Sequence, residues 1–469
     1  MRKCYKIGWI NLSLVFFLAL VVRFHKLGEA PLWTDEIFSW SASHLPPSRI
    51  ISYLLEGNNP PLWELLLHFW RRWWGDSEVA LRSLPAIFST LTAAALFCLG
   101  TYSRSSLAGW IAAALWIFSD YGQGVGREAR AYALLGFLTA LAHIAFLYWR
   151  GSNRGFYVWI ITLLLLFHTH YMGVGVAILQ LIFLLFDKKS TKPVILTAIL
   201  FLTGGSWLIG IVFMERLISY SGSEVGTFAS WEGLYNMLWR FSNQPIPTVI
   251  ALLTLTGATL YQRSLMSSYP FWAFLGLFLP IGLMAWKVPI WQDRYLMSAA
   301  VGYYWLLGHA AAGLPAVGRW IGTAGLLLSW IISWNPVPPG KAPFNRHLAR
   351  LIMQKPTHQP LICMPSWIAL EYSYYLPLSC KGRVSSHFFD EVAQELQLRY
   401  RIFGANAYAE LPVCELQATD TIWVLDYGYA WSYPGHPLPE LLRHEWQPMQ
   451  VWRLANHVQL WVGVRRSVD

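Results

Sequence analysis

The chain reads as an α-helical polytopic membrane protein with a small α/β domain at its C-terminal end. Three observations predict this. Of 469 residues, 55% are hydrophobic and only 13% charged, where soluble domains carry about 25% charged residues. The apolar residues gather in runs of roughly 17–23, the length a helix needs to cross a bilayer. They do not alternate in segments of about 10, as the strands of a β-barrel do. From about Asn335 the composition turns to mixed polar and apolar, which marks the second domain.

The first run, Ile7 to Leu27, follows Arg2, Lys3 and Lys6. It is long for the core of a signal peptide and no small-x-small site follows it, so it reads as a retained first span. Further spans are expected at about 79–101, 107–119, 129–149, 155–168, 170–186, 193–215, 247–262, 270–287, 294–312 and 316–334, roughly eleven in all. The loop 28–78 is long and aromatic. Glu36 to Leu55 reads as an interfacial helix, Asn58-Asn59-Pro60-Pro61 breaks it, and Leu62 to Trp74 reads as a second helix lying in the interface. The segment 216–246 is a further long loop, of the kind that is usually functional or disordered.

Pro336-Val337-Pro338-Pro339-Gly340 is a linker. It divides a transmembrane domain, 1–334, from a C-terminal domain, 335–469, long enough for its own core. In that domain Pro360–Met364 and Thr421–Leu425 read as strands, with a helix around Phe388 to Arg399.

Charge orients the chain. With the N-terminus in the cytoplasm, the inner segments hold Arg104, Arg150, Arg154, Lys188, Lys189, Lys192, Arg263 and Arg319. The alternate loops hold Asp35, Glu36, Glu128, Glu224, Glu232 and Asp293. Basic residues mark the cytoplasmic side, so the expected topology in a cytoplasmic (inner) membrane is N-in, with the C-terminal domain extracytoplasmic. The net charge of +10 is then orientation rather than nucleic-acid binding, and no nucleic-acid partner is expected. None of the five cysteines shows C-x-x-C spacing, which argues against a zinc or redox site. One disulfide among Cys363, Cys380 and Cys414 stays open.

The acidic pair Asp35-Glu36 follows the first span. Ionisable groups so close to lipid are functional candidates by default. A carboxylate here suits a general base for an acceptor hydroxyl or amine, or a metal ligand. The alternative is that Asp35 caps a helix and Glu36 complements its dipole. Arg127 and Arg130, three apart, share a face if helical, and two planar guanidinium groups suit a phosphate. Snorkelling to headgroups with an internal pair to Glu128 is the alternative. Arg294, beside Asp293, is a third anion contact or half of a pair that ends a helix. His168 and His170 lie in a tight turn. In a helix their side chains diverge, so hydrogen bonding of His170 to a sugar or phosphate stands beside metal binding. Glu64 and His68, four apart, read as a satisfied surface pair. Glu64 and His168 are the lesser metal candidates, and no complete ligand set is visible.

Several of these segments occur in an order that resembles the GT-C glycosyltransferases, in particular the family 39-like members related to protein O-mannosyltransferases and aminoarabinose transferases. The matching pieces are Trp33-Thr34-Asp35-Glu36, Asn59-Pro60-Pro61-Leu62-Trp63, Gly75-Asp76-Ser77-Glu78 with Leu81-Arg82, Arg127-Glu128-Ala129-Arg130-Ala131-Tyr132 and Asp293-Arg294-Tyr295-Leu296. They span about residues 1–310. The resemblance implies a GT-C fold and transfer of a sugar from a polyprenyl-phosphate carrier to a lipid, glycan or protein acceptor at the outer face. It implies Asp35 as base, with Glu36 beside it, and Arg127, Arg130, Tyr132, Arg294 and His170 toward the carrier phosphate. Many relatives have His where this chain has Asn59, which puts the role of that position in doubt. Some relatives use a divalent cation and others do not. A flippase for lipid-linked glycans would instead show inverted repeats and broken helices, which are not visible. A non-catalytic scaffold would not need acid and base gathered on one side.

Overall fold

The structure is a computed structural model that describes residues 8–56, 59–152, 154–186, 229–287, 291–356, 359–364, 372, 374–376, 386–387, 419–428, 442 and 444–466. The expected span 193–215, the expected helix around Phe388 to Arg399, Cys380 and Cys414 lie outside the described residues. The chain forms two compact units. One holds residues 1–27 and 47–338, the other 28–46 and 339–469. The long loop after the first span is therefore shared between them.

The first unit is helical. Its elements are α1 (Trp9–Phe24), α3 (Pro47–Glu56), α4 (Leu62–Trp74), α5 (Glu78–Ser103), α6 (Ser106–Ile117), α7 (Asp120–Gly126), α8 (Tyr132–Ser152), α9 (Phe156–Thr169) and α10 (Val174–Phe186). After these come α11 (Trp231–Phe241), α12 (Pro245–Tyr261), α13 (Tyr269–Ala285), α14 (Met297–Ala312) and α15 (Ala316–Ser333). A helix stands at each expected span among the described residues. By length and composition α5, α8 and α15 can cross a membrane, and the other apolar helices are shorter. Helix α5 packs on α1, α6 and α8, and α14 packs on α6 and α13. Small residues permit this. A Cβ on Gly100 would lie 2.6 Å from the backbone of Ala108, so α5 and α6 meet backbone to backbone, as small residues allow in membrane bundles.

Two local devices set the ends of these helices. Gly75, at φ +85°, ends α4, and Arg71 then grips Asp76 with two nitrogens at 2.6 and 2.9 Å. Ser77 caps α5 by accepting from the Ala80 N–H at 3.2 Å. The Gly75-Asp76-Ser77-Glu78 motif is thus a corner. The second device is Arg23, wholly buried at the end of α1. Its Nε donates to Ser89 Oγ (2.8 Å) and Nη1 to the Ile117 carbonyl (2.9 Å) and Gln123 Oε1 (2.7 Å). Nη2 donates to the Trp116 carbonyl (2.7 Å). The last carbonyls of α6 are the negative end of its dipole, so they solvate a cation that lipid could not.

The second unit holds α2 (Thr34–Ala42), α16 (Asn345–Ile352) and a five-stranded sheet. The strands are β1 (Leu361–Met364), β2 (Ser386–His387), β3 (Thr421–Tyr427), β4 (Trp446–Ala455) and β5 (Val458–Arg465), in spatial order β2-β1-β3-β5-β4. β1 runs parallel to β2 and β3, and β5 runs antiparallel to β3 and β4. Period-two alternation sends Leu361, Cys363, Trp423 and Leu425 to one face with Leu348 and Ile352 of α16. Ile362, Met364, Ile422 and Val424 go to the other face with Trp446 and Trp461.

Candidate functional site

In the second unit the acidic pair opens α2. The cap is Trp33, not Asp35. Glu36 is buried, and its Oε2 accepts from the Trp33 N–H at 3.3 Å, the return half of a capping box; the Trp33 indole has no acceptor for the other half. Asp35 is the second residue of the helix and is half-buried. The capping role that the sequence reading set against catalysis for Asp35 thus belongs to its neighbour. The turn itself is held by backbone contacts. The Leu32 N–H donates to Tyr375 Oη (2.6 Å), and the Leu32 carbonyl accepts from Asn345 Nδ2 (2.8 Å).

In the first unit the basic residues gather at the helix ends. Arg127 and Arg130 do not share a helix face, because α7 ends at Gly126 and bends follow until α8 begins at Tyr132. The Arg130 N–H bonds the Glu128 carbonyl at 2.6 Å instead of continuing a helix. Arg127 donates to the His25 carbonyl. Arg130 lies 3.8 Å from Glu64 Oε1. Glu64 and His68 are buried rather than a surface pair. His68 Nε2 meets Arg72 Nη1 at 3.4 Å.

Arg294 lies 5.8 Å from the ring centres of both Tyr132 and Tyr295, and its Nε donates to Gln292 Oε1 at 2.6 Å. The Asp293 carboxylate takes Arg240 Nε at 2.9 Å and the main-chain N–H of Arg294 at 2.7 Å. Tyr121 Oη also donates to the Asp293 carbonyl at 2.8 Å. His170 joins this group, 5.6 Å from the Tyr132 ring and 5.5 Å from Tyr295. Its Nδ1 accepts from the Met172 N–H at 3.2 Å. The residue sits in the connection between α9 and α10. Part of its surface stays open, yet burial first, then Arg130 and Arg294, push its pKa down to about 3. The group is therefore a neutral imidazole and two tyrosine rings around guanidinium charge, a setting that attracts anions.

The remaining candidates separate from it. His168, in the last turn of α9, has its ring 5.8 Å from Phe167. Asn59 is half-buried in the bend before α4. The Asn59–Trp63 motif reaches the arginines through Trp63, whose Nε1 donates to the Ala129 carbonyl at 3.2 Å. Among the described residues no group of three His, Cys, Asp or Glu could hold a metal ion. The sequence reading overlooked Arg23, Tyr121 and Asn345. A lone arginine near the end of an apolar run was the available signal for Arg23.

No family model matches the chain, and no curated protein does. Solved structures do. One is ArnT from Cupriavidus metallidurans bound to undecaprenyl phosphate, at TM-score 0.59 and 12% identity over 98% of each chain. Another is the same protein in the apo state, at TM-score 0.60 and 11% identity, over 97% of this chain and 98% of that one. ArnT is an aminoarabinose transferase of the GT-C superfamily. The chain therefore has the fold of the GT-C transferase ArnT, the fold that the ordered motifs of its sequence resemble.

Proposed function

We propose that the chain is a membrane glycosyltransferase that moves a sugar from a polyprenyl-phosphate carrier to an acceptor outside the cytoplasm. The observation that carries this is the seating of Arg294 between Tyr132 and Tyr295, with Arg130 and His170 beside it. Likeness in fold to a protein solved with undecaprenyl phosphate supports it. In the proposed step Asp35 takes the proton of the acceptor hydroxyl or amine as that atom bonds to the anomeric carbon. The bond from that carbon to the phosphate oxygen breaks, and polyprenyl phosphate leaves as an anion that Arg127, Arg130 and Arg294 stabilise. The family resemblance makes the transfer inverting.

Asp35→Asn is expected to lower turnover by about 10²–10⁴-fold without lowering the melting temperature. The assay is purified protein in bilayer discs with undecaprenyl-phosphate-linked sugars and a lipid extract as acceptor pool. Retained activity in the variant overturns Asp35 as base. In liposomes, translocation of the carrier without turnover would identify a flippase, and neither activity a scaffold.

A further inference from the structure

The C-terminal domain carries no motif with a nameable chemistry, yet the acidic turn is built onto it. Within that unit Asn345, the first residue of α16, is wholly buried. Its amide nitrogen holds the Leu32 carbonyl, while Tyr375 Oη accepts from the N–H of the same residue. Arg346 adds two more backbone contacts, Nη1 to the Glu29 carbonyl (3.0 Å) and Nη2 to the Gly28 carbonyl (2.8 Å). Trp33 then packs on the core formed by α16 and one sheet face, with Lys341 Nζ 3.9 Å above its ring. Further along, Trp40 meets the Tyr374 ring at 4.9 Å.

These contacts share a property. Gly28, Glu29 and Leu32 are held by main-chain atoms, so the grip sets backbone path and register. Leu32 is gripped on both its N–H and its carbonyl. The next residue, Trp33, is the helix cap, and its own N–H is taken by Glu36. Asp35 lies between that cap and Glu36. Its place is therefore fixed by a continuous series: Asn345 and Tyr375, Leu32, Trp33, Glu36.

Resting on the transferase reading, we infer that Asn345 and Tyr375 are positioning residues for Asp35, and that the C-terminal domain is part of the catalytic machinery through them. A base misplaced by about 1 Å loses rate by up to about 10²-fold, while binding of the carrier is unaffected by such a shift.

The test compares Tyr375→Phe and Asn345→Ala with Val424→Ala, which removes core volume from the sheet face opposite α16 and Trp33. The first two are expected to lower the turnover of an undecaprenyl-phosphate-linked sugar roughly ten- to a hundredfold. Their affinity for undecaprenyl phosphate should be unchanged, and amide exchange across residues 28–42 should be faster. Val424→Ala is expected to lower the melting temperature and leave the turnover of the folded fraction near that of the parent. In an Asp35→Asn background Tyr375→Phe should have no further effect on rate, as for residues that act as one unit. Equal rate loss in Val424→Ala at matched stability, or unchanged exchange across 28–42 in Tyr375→Phe, overturns the positioning role. Tyr375→Phe removes one oxygen, so it keeps the inference testable if Asn345→Ala does not fold. A parent protein inert toward every lipid-linked sugar overturns the transferase reading. An active parent with unaltered Tyr375→Phe kinetics overturns this inference alone.

Discussion

Two arginines of the helical unit, Arg23 and Arg294, are held by opposite means. Arg23 is wholly buried, and its fork meets four acceptors of the fold: one hydroxyl, one side-chain amide and two helix-terminal carbonyls. Arg294 lies 5.8 Å from the centres of two tyrosine rings, and its Nε donates to a glutamine. Ring faces attract a cation without competing geometrically for its hydrogen-bonding edge. Hydrogen-bonded carbonyls use that edge. The contrast teaches how a membrane protein can keep positive charge for different ends. Carbonyl acceptors turn an arginine into a joint between helices, and aromatic seats turn it into a surface that can receive an anion.

Substitution should divide the two sites cleanly. Arg23→Met strands the Ile117 carbonyl and the Gln123 amide oxygen away from water, while the Trp116 carbonyl keeps the Ser119 hydroxyl and N–H. Each buried polar group left without its partner costs about 1–3 kcal/mol, so a loss of at least about 2 kcal/mol is expected. The readout is failure to recover monodisperse protein, or a collapse of its melting temperature. An Arg23→Met protein that melts like the parent while losing carrier affinity would break the contrast outright. Arg294→Ala is the converse. The melting temperature should hold, while affinity for undecaprenyl phosphate falls roughly ten- to a hundredfold, the equivalent of one charge-assisted hydrogen bond of about 1.5–3 kcal/mol. Titration of the lipid into protein held in bilayer discs measures it.

The same contrast explains what could be read from the sequence. The helix succession was legible because each apolar run is a local signal. The Leu62–Trp74 helix and the strands at Pro360–Met364 and Thr421–Leu425 were legible for the same reason, the second strand running on to Tyr427. The members of the group around Arg294 were legible as residue types: Arg130, Tyr132, His170 and Arg294 were all singled out. Their arrangement was not. Arg127 and Arg130 were expected on one helix face, but Gly126 ends α7 and a bent segment sends one to the His25 carbonyl and the other toward Glu64. Arg294 was read as either an anion contact or half of a pair with Asp293, and nothing local pointed to Arg240, which meets the Asp293 carboxylate from fifty-three positions away. The Leu32–Asn345 contact spans 313 positions. Periodicity reports on a residue's own turn, and contacts at that separation leave no trace in it. Arg23 was overlooked because its partners, two backbone carbonyls and the Ser89 and Gln123 side chains, all lie 66 or more positions away.

The smallest expected effect sharpens the comparison through pH. No titratable acid or imidazole bonds the Arg23 guanidinium, whereas His170 faces Arg130 and Arg294. With its folded pKa pushed down to about 3, against about 6.5 in the unfolded chain, His170 binds a proton more readily once the protein unfolds. Stability should then rise with pH from about 3 to 6.5 and fall on acidification through that window. At pH 5, about 1.5 units below the unfolded pKa, the loss relative to neutral pH is about 2 kcal/mol at most, less for the part of the ring that solvent screens. His170→Gln should flatten the acid side of a plot of melting temperature against pH. Saturating undecaprenyl phosphate should flatten it too, because an anion between the arginines cancels part of the field that disfavours the imidazolium. If the lipid leaves the slope unchanged while His170→Gln removes it, the phosphate does not sit at this group, and the aromatic seat of Arg294 serves the fold as the carbonyls of Arg23 do.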